Sequence, residues 1–261
     1  MTPWTDAHNH LQDARLGERA ACIASMKQAG ISRCVVNATH EADWLNVANL
    51  ADSEPDFVVP AFGIHPWHAH TAGPEWLANL RHLLKNYPAA GIGECGLDGW
   101  ISQPPLAVQL PIFTAQVSMA REMDRPLTIH CLKAWTALFQ DFDETPPPPR
   151  FLMHSFGGSI EVARRLLRLG AYFSFSGYFL TARKSAVCEV FRQLPKDRIL
   201  LETDAPDMLP PQEAISHPLA NGHNHPANLA AIGTAFAAIL GMPVAELAEI
   251  SRDNTARWLG H

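Results

Sequence analysis

The sequence predicts an α/β chain closed into a (β/α)8 TIM barrel, and three observations carry that prediction. Short apolar runs and amphipathic stretches alternate eight times along 261 residues, with no break in composition. Strict alternation means parallel strands with helical crossovers, and eight such units close a barrel. Histidines and carboxylates also recur where the apolar runs end, at the rim where such barrels carry their active sites. A doubly wound open sheet is the competing architecture. A single domain over residues 1–261 is expected.

Each strand is a short apolar run followed by a polar loop and a helix-period stretch. The first strand, 5–9, leads to a helix over 16–30; the second, 33–38, to one over 41–52. Strands 57–63 and 89–93 precede helices 74–87 and 106–123. Strands 127–130 and 151–154 precede helices 134–142 and 159–169. Strands 171–175 and 199–202 precede helices 182–194 and 227–240, and a ninth helix spans 244–259. Gly30, Gly170 and Gly241 fall where helices should stop. The run Pro146-Pro147-Pro148-Pro149 is a stiff connector on the lower face. The longest irregular stretch, 207–226, follows the eighth strand, and loops of that length are usually functional.

A hydrophobic share of 47% allows a sizeable core. No apolar run approaches the roughly 20 residues of a membrane span, so no membrane association is expected. The N-terminus lacks the basic-then-apolar pattern of a secretory signal. Cys22, Cys34, Cys95, Cys131 and Cys188 have no paired spacing and read as reduced, buried thiols of a cytoplasmic protein. A net charge of −6 argues against coating duplex nucleic acid by charge. It leaves room for an enzyme that grips one phosphate through metal ions. No obligate protein partner is implied.

The chemistry starts at Asp6-Ala7-His8-Asn9-His10. Alternate strand residues share a side, so His8 and His10 present two imidazoles together. Alone, a His-x-His pair is a weak signal. Here Glu94 ends strand four, His130 strand five and His154 strand six, and Asp204 follows strand eight. Four imidazoles and two carboxylates thus meet at one rim, and that set suits two divalent ions sharing a carboxylate. Glu94 is the natural bridge. His8, His10 and Asp204, from neighbouring first and eighth strands, would hold one ion, and His130 with His154 the other. Imidazoles suit zinc, whereas carboxylates suit magnesium or manganese. No lysine ends any expected strand. Asp204 is also the candidate general base.

Other residues carry two readings each. His65, in Gly63-Ile64-His65-Pro66, either contacts substrate or caps a turn. Glu202 either orients a ligand histidine from behind or bonds a backbone amide. Cys95 and Cys131 should turn away from the metals. His68 and His70 are expected in solvent, Arg164, Arg165 and Arg168 on a solvated helix face, and His217, His223 and His225 in a mobile loop.

These motifs resemble the TatD family of metal-dependent deoxyribonucleases, in the amidohydrolase superfamily. The resemblance runs through Asp6-Ala7-His8-Asn9-His10, Gly63-Ile64-His65-Pro66, Gly93-Glu94-Cys95-Gly96-Leu97-Asp98, Pro126-Leu127-Thr128-Ile129-His130, His154-Ser155-Phe156-Gly157-Gly158 and Leu200-Leu201-Glu202-Thr203-Asp204-Ala205-Pro206. Asn254-Thr255-Ala256-Arg257-Trp258 is similar to the family's closing segment. The resemblance implies one metal on His8, His10, Glu94 and Asp204, and a second on Glu94, His130 and His154. It implies a 3'-5' exonuclease type of phosphodiesterase acting on a DNA end or single strand. The chain departs from the family at Gly99-Trp100, where an aromatic often follows Gly-Leu-Asp directly. It departs again at His223-Asn224-His225-Pro226, where an arginine-asparagine-glutamate-proline run is common. Two rivals remain: a hydrolase of an ester, amide or lactone, including an aminoacyl-tRNA ester, and a non-catalytic metal-binding scaffold.

Overall fold

The computed structural model describes residues 3–260. Its strands are β1 Trp4–Asn9, β2 Ile31–Asn37, β3 Val58–Phe62, β4 Gly91–Asp98, β5 Leu127–Leu132, β6 Phe151–Met153, β7 Ala171–Ser176 and β8 Ile199–Glu202. They pair in sequence order, all parallel. Around them lie α1 Arg19–Gln28, α2 Glu41–Ser53, α3 Trp76–Asn86, α4 Leu106–Glu122, α5 Trp135–Glu144, α6 Ile160–Leu167, α7 Ser185–Gln193, α8 Leu229–Leu240 and α9 Val244–Leu259. This is the expected (β/α)8 barrel.

Closure falls just beyond the end of β8. The Asp204 amide donates to the His8 carbonyl (3.0 Å) and the His10 amide to the Ala205 carbonyl (2.8 Å). Buried Asp6 accepts from the Thr203 amide (3.0 Å) and hydroxyl (2.6 Å). The seam that closes the barrel is therefore the one that brings Asp204 to His8 and His10.

The interior is apolar below and polar above. Ala7, Val35, Val59, Ala61, Leu152, Tyr172 and Leu200 fill it, and Trp258 and Leu259 of α9 join them. Asn254 fixes α9 there by donating to the Lys196 and Ile199 carbonyls (2.7 and 2.8 Å). Ser174, Ser176, Thr128, Asn37 and Glu202 are buried polar groups of the same strands.

Several element bounds differ from expectation. The first helix begins at Arg19, because Gly17 takes a left-handed φ of 79° and the Glu18 carboxylate caps Ala20 and Ala21. The fourth strand runs on to Asp98, so Glu94 lies inside it, where the pairing with β5 slips between Ile92 and Cys95. Gly96 permits this: with φ 146°, any Cβ there would overlap the His130 carbonyl oxygen. The fifth strand also extends, so Lys133 does follow a strand, contrary to expectation. Among the described residues no single helix is long and apolar enough to cross a membrane.

Candidate metal centre

Four of the expected ligands, His8, His10, His130 and His154, converge on Glu94, and its two oxygens divide them. Oε2 lies 3.2 Å from His8 Nε2 and 3.3 Å from His10 Nε2. Oε1 lies 2.8 Å from His154 Nε2 and 3.3 Å from His130 Nδ1. Asp204 Oδ1 completes the first side, 3.3 Å from His8 Nε2 and 3.5 Å from His10 Nε2. β1 contributes by more than simple alternation, since its register with β2 slips between Asp6 and Asn9. Asp204 adopts a left-handed φ of 52°, which carries it across the seam.

Hydrogen bonds behind the rings fix which nitrogen faces inward. His10 Nδ1 sits 2.8 Å from the Asn37 carbonyl, so it must be the N–H donor and Nε2 keeps its lone pair. His130 Nε2 sits 3.2 Å from Asp98 Oδ2, which leaves Nδ1 as its ligand atom. His8 Nε2 is buried and, despite two carboxylates nearby, makes no well-formed hydrogen bond among the described residues. A buried imidazole aimed between two carboxylates without bonding either is arranged for a cation. The donor set fits divalent metal on that ground.

The charges agree. Burial would raise the pKa of Glu94, but His154, His65 and His8 around it hold it well below the carboxylate range. Burial also works against charge on His10, yet Asp204 and Glu94 outweigh it and raise its pKa. His154 is raised likewise, against burial, by Glu94 and Glu202. A bound cation replaces the protons these rings hold, so apparent metal affinity should fall as pH falls. Each displaced proton gives about tenfold per pH unit. Competitive chelator titrations at about pH 6 and about pH 8 check this, and equal affinities would show that metal displaces no protons from these rings.

His65 is closer than its loop position suggested. It is buried, with Nε2 3.2 Å from Glu94 Oε1. The capping reading holds, because Nδ1 accepts the Trp67 amide (3.2 Å) and caps the turn. Burial lowers its pKa to about 4, so it is a neutral Nε2–H donor at pH 7. Glu202 Oε1 is 3.6 Å from His154 Nδ1, beyond a hydrogen bond. Its oxygens instead accept from the Ser155 amide and hydroxyl and from the Ser174 hydroxyl. Glu202 thus anchors the residue after His154.

Cys95 is buried and burial raises its pKa; Cys131 is only half-buried but is raised the same way, so neither is an activated thiol. His68 is half-buried with its ring edge-on to His40, not free in solvent. The 207–226 loop is tied down: Arg15 pairs with Asp207, Asn221 donates to the Arg15 carbonyl, and His225 is buried and caps Ala227.

Asp98 escaped the sequence reading. It lies two alternations beyond Glu94 on the same strand, which is the signal that could have found it. Burial opposes its charge, but bonds from His130, Trp67 and the Trp100 amide lower its pKa to about 2. Asp98→Ala should weaken metal binding at the His130 side by about 10–100-fold, as removal of a ligand's carboxylate partner does. Isothermal titration with manganese reads this out, and unchanged affinity would remove Asp98 from the centre.

The chain is similar to known proteins over nearly its whole length. A model of TatD related DNase matches residues 5–260. The chain is 32% identical to the metal-dependent hydrolase YabD of Bacillus subtilis, over 97% of each chain. It is 30% identical to the 3'-5' ssDNA/RNA exonuclease TatD of Edwardsiella piscicida, over 74% of this chain and 75% of that one. The crystal structure of the TatD homolog YJJV from Escherichia coli superimposes with a TM-score of 0.89 at 26% identity, covering 98% of this chain and 97% of that one. Fold, match and the convergence on Glu94 agree: the chain belongs to the TatD-related DNase family of metal-dependent hydrolases.

Proposed function

We propose that this protein is a single-domain, two-metal phosphodiesterase that removes nucleotides from a DNA end or single strand in the 3'-5' sense. The observation that carries it is the division of Glu94, one oxygen toward His8 and His10, the other toward His130 and His154. Glu94 would then be shared by two divalent ions, one held from each side. His8, His10, Glu94 and Asp204 would hold the first, and Glu94, His130 and His154 the second. Zinc, magnesium and manganese all suit this mixed set. Relatives named as single-strand exonucleases support the substrate class. Five free cysteines suit a reducing compartment such as the cytoplasm.

When bound, the divalent ions supply the positive charge that acidifies water and neutralises charge growing on the phosphoryl oxygens. Asp204 turns Oδ1 to His8 and His10, and its other oxygen takes the proton of the attacking water. His65, neutral and protonated at Nε2, can turn its single N–H from Glu94 to a phosphoryl oxygen entering beside it. Glu202, held by Ser155 and Ser174, keeps the His154 segment in place.

The test is a substrate panel on metal-replete protein: single-stranded DNA, duplex DNA with a recessed end, a simple phosphodiester, and carboxylic ester, lactone and amide substrates. Trimming of single strands from the 3' end is the expected result. Hydrolysis confined to esters, lactones or amides would refute the nuclease reading. No hydrolysis of any substrate would leave a metal-holding scaffold.

A further inference from the structure

Trp67 and Trp100 stand apart from the other tryptophans. Trp4, Trp44, Trp76 and Trp258 are buried and Trp135 is half-buried, whereas Trp67 is 52% and Trp100 66% exposed. Both belong to the rim of the metal centre and meet at one carboxylate. The Trp67 indole N–H donates to Asp98 Oδ2 (2.7 Å), the same oxygen that faces His130, and the Trp100 amide donates to Asp98 Oδ1 (2.8 Å). One edge of Trp67 is thus pinned while more than half of the residue stays in solvent. Lys133 holds its ammonium 3.6 Å from the Trp100 ring centre. A rigid exposed indole beside a hydrolytic centre loses little conformational entropy on binding, and an adjoining ammonium adds attraction for phosphate.

We propose that Trp67, Trp100 and Lys133 form a stacking platform for the bases of a single-stranded nucleic acid whose phosphate lies at the Glu94 centre. The proposal deepens the nuclease reading and rests on it for the identity of the strand. It also reconciles that substrate with a net charge of −6, because stacking draws on π-faces rather than on a basic surface. An aromatic platform accepts any base, so little sequence preference is expected.

The test measures binding separately from turnover. Metal-replete protein is titrated into a labelled, hydrolysis-resistant phosphorothioate oligothymidylate, followed by fluorescence anisotropy. The same titration uses a strand of equal length and charge that lacks bases. Trp100→Ala should weaken oligothymidylate binding about 5–150-fold, the span of one stacked base. Trp100→Phe should restore most of the loss. The strand without bases should bind wild type at least as weakly as oligothymidylate binds Trp100→Ala, because it forfeits stacking on Trp67 as well. Equal binding by wild type and Trp100→Ala, equal binding of the two strands, or no binding to wild type would overturn the platform. If oligothymidylate binds through Trp100 but no phosphodiester is cleaved, the platform stands and the nuclease reading falls. If strands are cleaved and Trp100→Ala changes neither binding nor KM, the platform alone falls.

Discussion

Glu94→Gln is expected to be the most damaging single substitution in the chain. The carboxamide keeps the shape but loses the charge that His154, His65 and His8 surround. It also offers one acceptor oxygen where two imidazole pairs are now served. Metal-ion charge stabilises a phosphoryl-transfer transition state by several kcal/mol, and each 1.36 kcal/mol is tenfold in rate. Turnover of a phosphodiester should therefore fall on the order of 10³-fold or more. Bound metal, read by elemental analysis after desalting, should fall on both sides of the centre. Near-normal metal content with normal turnover would show that Glu94 is a structural carboxylate rather than a bridge.

Asp204→Asn differs in kind. Asp204 faces only His8 and His10, so the His130 side should keep its metal while the other side weakens. The loss of a general base should lower kcat at least about 10²-fold. His65→Ala is the contrast: if His65 chiefly holds substrate, KM should rise with both metals retained. Measurement of kcat, KM and bound metal for the two variants on one oligonucleotide separates these roles. Wild-type turnover by Asp204→Asn would refute the base assignment. Glu202 could not take that role over, since both its oxygens already accept from Ser155 and Ser174.

The strands that position the ligands were legible because their chemistry sits at their ends. His8, His10, His130, His154 and Asp204 each follow a short apolar run, and a parallel barrel brings such ends to one rim. β4 and β5 depart from this, since β4 runs on past Glu94 to Asp98 and β5 past His130 to Leu132. In β4, Gly93 and Gly96 let the strand press against β5 and continue. Ending the strand early hid Asp98, and with it the reason His130 offers Nδ1. His65 was ambiguous because its strand ends at Phe62, and only the turn at Pro66 brings the ring back over Glu94. The tether of the 207–226 loop depends on Arg15, 192 residues from Asp207, a pairing that no local pattern encodes.

On this mechanism catalysis needs a pair of ions held through one shared carboxylate. Stripped protein titrated with manganese, with bound metal and single-strand cleavage recorded at each addition, tests it most directly. The account predicts that cleavage is absent without metal, stays low near one equivalent, and reaches its plateau near two per chain, about the stoichiometry of a shared-carboxylate pair. Full cleavage at one equivalent, or cleavage that survives chelation, would contradict it.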